Sequence, residues 1–148
     1  MGSILNESDR AAIGHRVRSL SVSSTRRWGS MDVTGMLHHL RLSALMTLGE
    51  LQVPSKSKRA FQTFPLKHLI LYVLPFPKGA PTAPELKPID SASLEEERTA
   101  LLELLERIGT GSQDSAWPAH PLFGPMTCRE WGVATYKHCD HHLRQFGA

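Results

Sequence analysis

The segment Tyr136–Gln145 reads YKHCDHHLRQ and carries three of the eight histidines of this 148-residue chain. His138 and His142 are one helical turn apart, so on an α-helix their imidazoles project from nearly the same face. Two imidazoles on one face can converge on a single metal ion. The spacing therefore predicts a C-terminal helix that carries two metal ligands, and a third ligand must come from elsewhere.

A second histidine pair, His38 and His39, lies in the apolar segment Met36–Leu40, which reads MLHHL. This segment belongs to the only other long pattern that predicts a strongly apolar helix. It is the best source of a third nitrogen. The periodicity of the segment leaves open which of the two histidines faces the C-terminal helix.

One face of the predicted C-terminal helix is unusually polar for a surface that packs into a core. Burial of two imidazoles and an amide costs several kcal/mol unless each finds a partner, and a metal ion supplies one. His141 lies about 60° from His138 around the helix, so we expect it to bind a substrate or to face water. The residues that share the face are Trp131, Ala134, His138, His142 and Gln145.

Two common metal-enzyme motifs are absent from the sequence. Neither Glu-x-x-His nor His-Glu-x-x-His occurs, which disfavours di-iron oxidases and zincin proteases. A site of three imidazoles with open coordination positions suits zinc, nickel, iron or copper. It also leaves room for an activated water or a thiolate substrate.

Length and composition favour one ordinary globular domain over residues 1–148, with 41% hydrophobic and 21% charged residues. The net charge is +3, and the basic residues are scattered, so we expect no nucleic-acid partner. The longest apolar run, Leu69–Pro77, is far shorter than a membrane-spanning helix, so we expect no membrane partner. No secretory signal is visible at the N-terminus, which favours the cytoplasm.

Helical periodicity and capping signals predict four long helices. The first spans about Asn6–Leu20. The second begins near Ser30 or Asp32 and ends at about Gly49. The third opens with a capping box at Ser93 and stops near Gly109. The last opens with a second capping box at Thr127 and runs to about Phe146.

A connection of about 40 residues joins the second and third predicted helices. It holds a short helix near Pro65–Leu74 and a proline-rich stretch, Pro75–Pro84, in which regular structure is excluded. No strand pattern competes with the helices. The prediction is an all-α four-helix bundle in which the long crossover makes the second and third helices parallel, giving an up-down-down-up topology. Cys128 and Cys139 are expected to be free thiols.

Several motifs spread over nearly the whole chain carry a family resemblance. They are Trp28-Gly29, Met36–Leu40, Pro77–Thr82, His120–Gly124, Glu130-Trp131 and His138–Phe146. Together they resemble the DinB superfamily of metalloenzymes. More narrowly, they are similar to its branch of small bacterial proteins described as a domain of unknown function.

The resemblance implies a four-helix bundle with three metal-binding histidines, one on the second helix and two on the last. Its Met-Leu-x-His-Leu pattern selects His39 rather than His38, and its His-x-x-x-His pair falls on His138 and His142. Relatives with a known activity resemble thiol transferases or isomerases that use low-molecular-weight thiols. Zinc and nickel are the metals we expect first.

These observations lead to one hypothesis and one rival. The first is a mononuclear metal-dependent enzyme that acts by hydrolysis, thiol transfer or isomerisation on a small molecule such as a low-molecular-weight thiol. The rival is a non-catalytic bundle that binds a metal or a small ligand, and either form could be a homodimer. Candidates for side chains that support the ligands or contact a substrate are His120, His141 and Gln145, and Asp140 is a candidate for a supporting role at most.

Overall fold

The computed structural model describes residues 2–55, 58–89, 93–112 and 114–148. Residues 56, 57 and 90–92 of the predicted crossover thus lie outside the described residues. Within the described ranges the regular structure is helical, apart from one isolated bridge between His120 and Gly124. The helices are α1 (Glu7–Ser19), α2 (Val33–Thr47), α3 (Leu66–His68), α4 (Leu94–Gly109) and α5 (Cys128–Gln145).

Each long helix begins where its polar capping residue predicts. The capping side chain accepts a hydrogen bond from a backbone N–H of the first turn, which would otherwise lack a partner. At the two predicted capping boxes, the glutamates Glu96 and Glu130 also bond back to the capping residue. The four capping residues are Asn6, Asp32, Ser93 and Thr127.

The main core lies between the four long helices. α1 and α2 each contact both α4 and α5. Met36, Leu37 and Leu40 of α2 pack with Leu101 and Leu105 of α4, and all five side chains are fully or almost fully buried. Each side chain of this size contributes roughly 1.5–3 kcal/mol when it leaves water. This packing fixes the rotation of α2, and with it the direction of His38 and His39.

A second apolar cluster joins residues of the crossover to α5. It contains Trp131 of α5, Phe123 of the loop that precedes α5, and Leu71, which is fully buried. Leu71 lies in a π-helical turn, Leu69–Val73, that continues α3. Lys137 of α5 donates to backbone carbonyls of this turn, so the short helix predicted near 65–74 is tied to α5.

Two short 3₁₀ helices, Arg59–Gln62 and Pro84–Leu86, were not predicted. Three or four residues carry no helical periodicity, so the sequence offers no signal for them beyond the proline at the start of the second. Both cysteines are buried free thiols, as expected. Within the described ranges, none of the helices has the length and apolarity that a bilayer crossing requires.

Candidate metal centre

His39, His138 and His142 lie together between α2 and α5. Their potential ligand nitrogens all lie within 4.8 Å of one another. The Nε2 atoms of His39 and His138 are 3.0 Å apart, and the three ring centroids are separated by 4.8–4.9 Å. Three rings at nearly equal spacing surround one common point, so the structure brings together the three histidines that the resemblance selected.

Each of the three rings is anchored through its other nitrogen, Nδ1. The ring of His39 is 2.8 Å from the carbonyl oxygen of Leu86, and that of His142 is 2.9 Å from the side-chain oxygen of Gln145. The Nδ1 atom of His138 is 3.1 Å from the hydroxyl oxygen of Ser43. The oxygen atoms of Leu86 and Gln145 are acceptors of the kind to which metal-ligating histidines characteristically donate, and such acceptors orient the ring and select its tautomer.

The acceptors determine where the ring protons lie. A carbonyl oxygen can only accept, so the neutral ring of His39 carries its proton on Nδ1 and presents an Nε2 lone pair to the centre. The same holds for His142, because the amide nitrogen of Gln145 donates to the Trp28 carbonyl at 2.6 Å and turns its oxygen toward the ring. Two lone pairs thus face one space, which is the arrangement that a cation requires.

The support of Gln145 depends on a glycine. Gly29 has a φ of +81°, and a Cβ atom there would collide with the amide nitrogen of Gln145. The Trp28-Gly29 pair therefore approaches α5 closely enough for its backbone to hold the amide, which only a residue without a side chain permits. Arg27 adds a backbone hydrogen bond to the Gln145 carbonyl, at 2.7 Å.

His38 faces the opposite interface and does not join the group. Its Nδ1 atom is 2.9 Å from the carboxylate of Glu97 on α4, and the other oxygen of that carboxylate pairs with Arg41 at 2.7 Å. His38 and Glu97 are both buried, with 3% and 4% of their surfaces exposed. The structure thus separates the two neighbouring histidines that periodicity alone left equivalent.

A large, mostly apolar pocket opens beside the three histidines. His141 lies at its rim, where its ring is 6.0 Å from Trp28 and 6.3 Å from Phe76. The ammonium group of Lys78 lies 4.3 Å from the centre of the Trp28 ring. His141 thus borders the pocket without facing the common centre, in agreement with its expected helical phase. Apolar lining residues include Met46, Ile70, Leu86, Phe123 and Trp131.

His120 lines the same pocket from the loop that precedes α5. Its ring packs against Trp131 and Phe123, with centroid distances of 5.1 and 4.7 Å. Its Nδ1 atom accepts hydrogen bonds from the backbone N–H groups of Leu122 and Phe123, at 3.0 and 3.2 Å. The residue is thus both part of a turn and part of the pocket wall.

Comparison with known proteins identifies the family. The model of DUF1569, a family of proteins of unknown function, matches residues 4–148. The chain belongs to this family. No curated protein and no solved structure matches the chain.

Burial is the main reason that the pKa values of the three clustered histidines lie below the ordinary 6.5. The pKa of His142 falls to about 4, with repulsion from His39 as a further cause. The pKa of His138 lies well below its usual value, because burial is reinforced by His39 and His142. Burial also lowers the pKa of His39, against the opposing effect of the Leu86 carbonyl. All three rings are neutral near pH 7, which is the form that binds metal.

The hypothesis that Asp140 supports the ligands is wrong. Its carboxylate pairs with Arg16 of α1 at 2.7 Å and with Arg144 at 2.9 Å. Asp140 follows His138 by two positions, which turns its side chain about 200° away around the helix. Sequence reasoning also missed two supporting groups. Ser43 lies four positions after His39 and could have been found from that spacing, whereas no signal pointed to the carbonyl of Leu86.

Proposed function

We propose that this protein is a mononuclear metal-dependent enzyme with His39, His138 and His142 as its metal ligands. The observation that carries the proposal is the convergence of three imidazoles whose Nδ1 atoms are all bonded to oxygen atoms. That arrangement leaves the Nε2 atoms, which lie close to one another, as the ligand atoms for one cation. A divalent transition metal, zinc or nickel first, fits an all-nitrogen donor set.

We propose a catalytic rather than a structural role for the site. Closed structural zinc sites use four protein ligands, whereas catalytic sites keep a position for water or substrate. Among the residues that the structure describes, no Cys, Asp or Glu side chain joins the three histidines. A divalent cation held by three neutral nitrogens keeps its full charge and lowers the pKa of a water or thiol that reaches it.

The residues around the site favour a small molecule with a substantial apolar part as the substrate. The aromatic side chains of Trp28, Phe76, Phe123 and Trp131 border the pocket and contribute to its apolar lining. Neutral ligands favour an anionic partner such as a thiolate, because they leave the positive charge of the cation uncompensated. Hydrolysis, thiol transfer and isomerisation are the reaction types we propose, with a low-molecular-weight thiol as the preferred substrate.

We also propose that the four long helices form an up-down-down-up bundle of the DinB type. The long crossover between α2 and α4 supports this topology, because a connection of that length allows two packed helices to run parallel. The position of one histidine on α2 and two on α5 supports the same assignment. Direct measurement of helix directions in an experimental structure would test it.

The first experiment is metal analysis of protein purified without a histidine tag. We expect about one zinc or nickel ion per chain, as in a mononuclear site, and His142→Ala should reduce the occupancy to background. The matched control is His15→Ala, because His15 is exposed on α1 and distant in sequence from the site. Equal occupancy in both variants would contradict the proposed ligands.

The second experiment separates an enzyme from a scaffold. Cobalt makes the coordination visible, because exchange of a ligand changes its absorption spectrum. We expect a simple thiol or azide to change the spectrum of the cobalt protein. An unchanged spectrum at saturating concentrations would favour the rival, a non-catalytic metal-binding bundle.

A further inference from the structure

The loop that carries His120 is fixed by its own backbone. His120 and Gly124 exchange two backbone hydrogen bonds, each 2.8 Å long, and Gly124 closes the turn with a φ of +65°. The indole N–H of Trp131 donates to the carbonyl oxygen of Pro118 at 2.9 Å, which ties the preceding segment to α5. The position of the His120 ring is therefore set by the fold and does not depend on a bound ligand.

The same loop also fixes the tautomer of His120. Its Nδ1 atom accepts from two backbone N–H groups, those of Leu122 and Phe123, so a proton on Nδ1 would break both bonds. The neutral ring must then carry its proton on Nε2. This is the reverse of His39 and His142, whose Nδ1 atoms donate to oxygen acceptors. His120 is thus unsuited to ligate a metal through Nε2.

Within the described part of the chain, the Nε2–H group of His120 donates no hydrogen bond to a protein acceptor. Its Nδ1 bonds are the polar contacts that the described part of the chain gives this ring, and the ring otherwise packs against Phe123 and Trp131. The residue lines the pocket together with His138. The His120 side chain is half-buried and lines a mostly apolar pocket, so its donor can bind an acceptor on a ligand that enters there.

We propose that His120 is a fixed hydrogen-bond donor that binds an oxygen atom of the substrate through its Nε2–H group. The acceptor is a carbonyl or carboxylate oxygen, and an apolar stretch separates it from the group that reaches the three histidines. This inference rests on one part of the proposed function, namely that the substrate binds in this pocket. His120 positions the substrate and does not act as a base.

Electrostatics supports the assignment of a neutral donor. Burial, together with the nearby cation of Lys67, lowers the pKa of His120 to about 4. Lys67 itself pairs with Glu130 at 2.9 Å and donates to the carbonyl oxygen of Pro125. The ring therefore keeps its single N–H throughout the neutral pH range.

The tautomer can be observed directly by two-bond ¹H–¹⁵N correlation spectra of metal-free protein with labelled histidine. We expect the Nε2–H form for His120, and we expect butyramide, a neutral amide with an apolar chain, to shift its Nε2–H signal. The signals of exposed His15 serve as the internal control. An Nδ1–H or imidazolium form, or an Nε2–H signal that saturating butyramide leaves in place, would overturn the proposal.

Substitution can remove the donor without disturbing the loop. In His120→Asn, the amide oxygen can replace Nδ1 as the acceptor for the two backbone N–H groups, but nothing replaces Nε2–H. In His120→Gln, the longer side chain returns an N–H near the Nε2 position. The probes are mercaptoalkanamides of increasing chain length, each compared with the alkanethiol of equal length, in binding to the cobalt protein.

We expect the wild-type protein to prefer the best-fitting amide over its matched thiol by about five- to tenfold, the value of one hydrogen bond. His120→Asn should lose this preference while still binding the plain thiol, and His120→Gln should restore part of it. A preference unchanged in His120→Asn would overturn the inference. Failure of every thiol to bind would instead count against the proposed function, and the NMR experiment would still decide the role of His120.

Discussion

His38 and His39 are neighbours on α2, yet they belong to two different kinds of interface. Toward α4, His38 meets the buried carboxylate of Glu97, which Arg41 also pairs with. Toward α5, His39 meets two further imidazoles and the carbonyl of Leu86. The first interface contains its own opposite charges, on Arg41 and Glu97. The second contains three imidazoles whose nitrogen atoms could hold a metal ion.

This difference shows how the same residue type acquires two roles from its partners. A buried carboxylate is costly unless it is paired, so His38, Arg41 and Glu97 depend on one another for stability. The three clustered histidines satisfy their Nδ1 atoms separately, and their Nε2 atoms remain directed at one another. We therefore expect substitutions at the first interface to lower the free energy of unfolding, and substitutions at the second to lower metal affinity.

The largest effect should come from removal of a ligand. Under conditions in which the wild-type protein is fully loaded, His39→Ala, His138→Ala and His142→Ala should each lose their metal, because two imidazoles hold a cation weakly. The measurement is metal content after dialysis against a chelator.

The control variants sharpen the comparison between the neighbours. His38→Ala and His141→Ala should keep their metal, since His38 faces Glu97 and His141 borders the pocket rim. A loss in His38→Ala as large as that in His39→Ala would erase the difference between the two interfaces.

The next largest effect should be on folding. Glu97→Ala removes the partner of His38 and Arg41, and we expect the free energy of unfolding to fall by about 3 kcal/mol, as for other broken buried pairs. Denaturant titration measures this change. The affinity of the folded variant for metal should stay at the wild-type value, so a weakened metal site in Glu97→Ala would mean that the two interfaces are coupled.

Removal of a supporting group should have a smaller effect than removal of a ligand. Gln145→Ala takes away the acceptor that orients His142, and we expect metal affinity to fall about 10- to 100-fold, the usual cost of losing such a partner. Competition with a chromogenic chelator measures the affinity. Gln145→Glu retains an acceptor oxygen for His142 and should lose less, so equal losses in the two variants would argue against this orienting role.

The sequence predicts the helices and the ligand-bearing face more completely than it predicts the supporting groups. Capping residues such as Ser93 and Thr127 act locally, so their effect can be read from a few neighbouring positions. The acceptor for His39 is instead a backbone carbonyl 47 positions away, in a 3₁₀ turn without a distinctive sequence. Any residue has such a carbonyl, so only the fold can identify it.

The contrast between His38 and His39 has the same origin. The two positions differ by about 100° around α2, which separates their faces but does not tell which face meets α5. That choice depends on how Met36, Leu37 and Leu40 pack against α4, a long-range property of the core. The family resemblance selected His39 because its Met-Leu-x-His-Leu pattern already specifies which of the two positions bears the metal-binding histidine.

The smallest expected effect concerns the pH dependence of stability in the metal-free protein. Burial lowers the pKa of His142 from 6.5 to about 4. Between pH 6.5 and 4, this histidine therefore binds a proton in the unfolded chain but stays neutral in the folded chain. Protonation then favours unfolding, and stability falls as the pH decreases from 6.5 toward 4. The expected loss is about 1 kcal/mol for this histidine over the first pH unit below 6.5. His142→Gln should flatten the profile and His15→Gln should not, in denaturant titrations at several pH values. If His142→Gln left the profile as steep as in the wild-type protein, His142 would not be the buried neutral ring that distinguishes this interface from the paired His38.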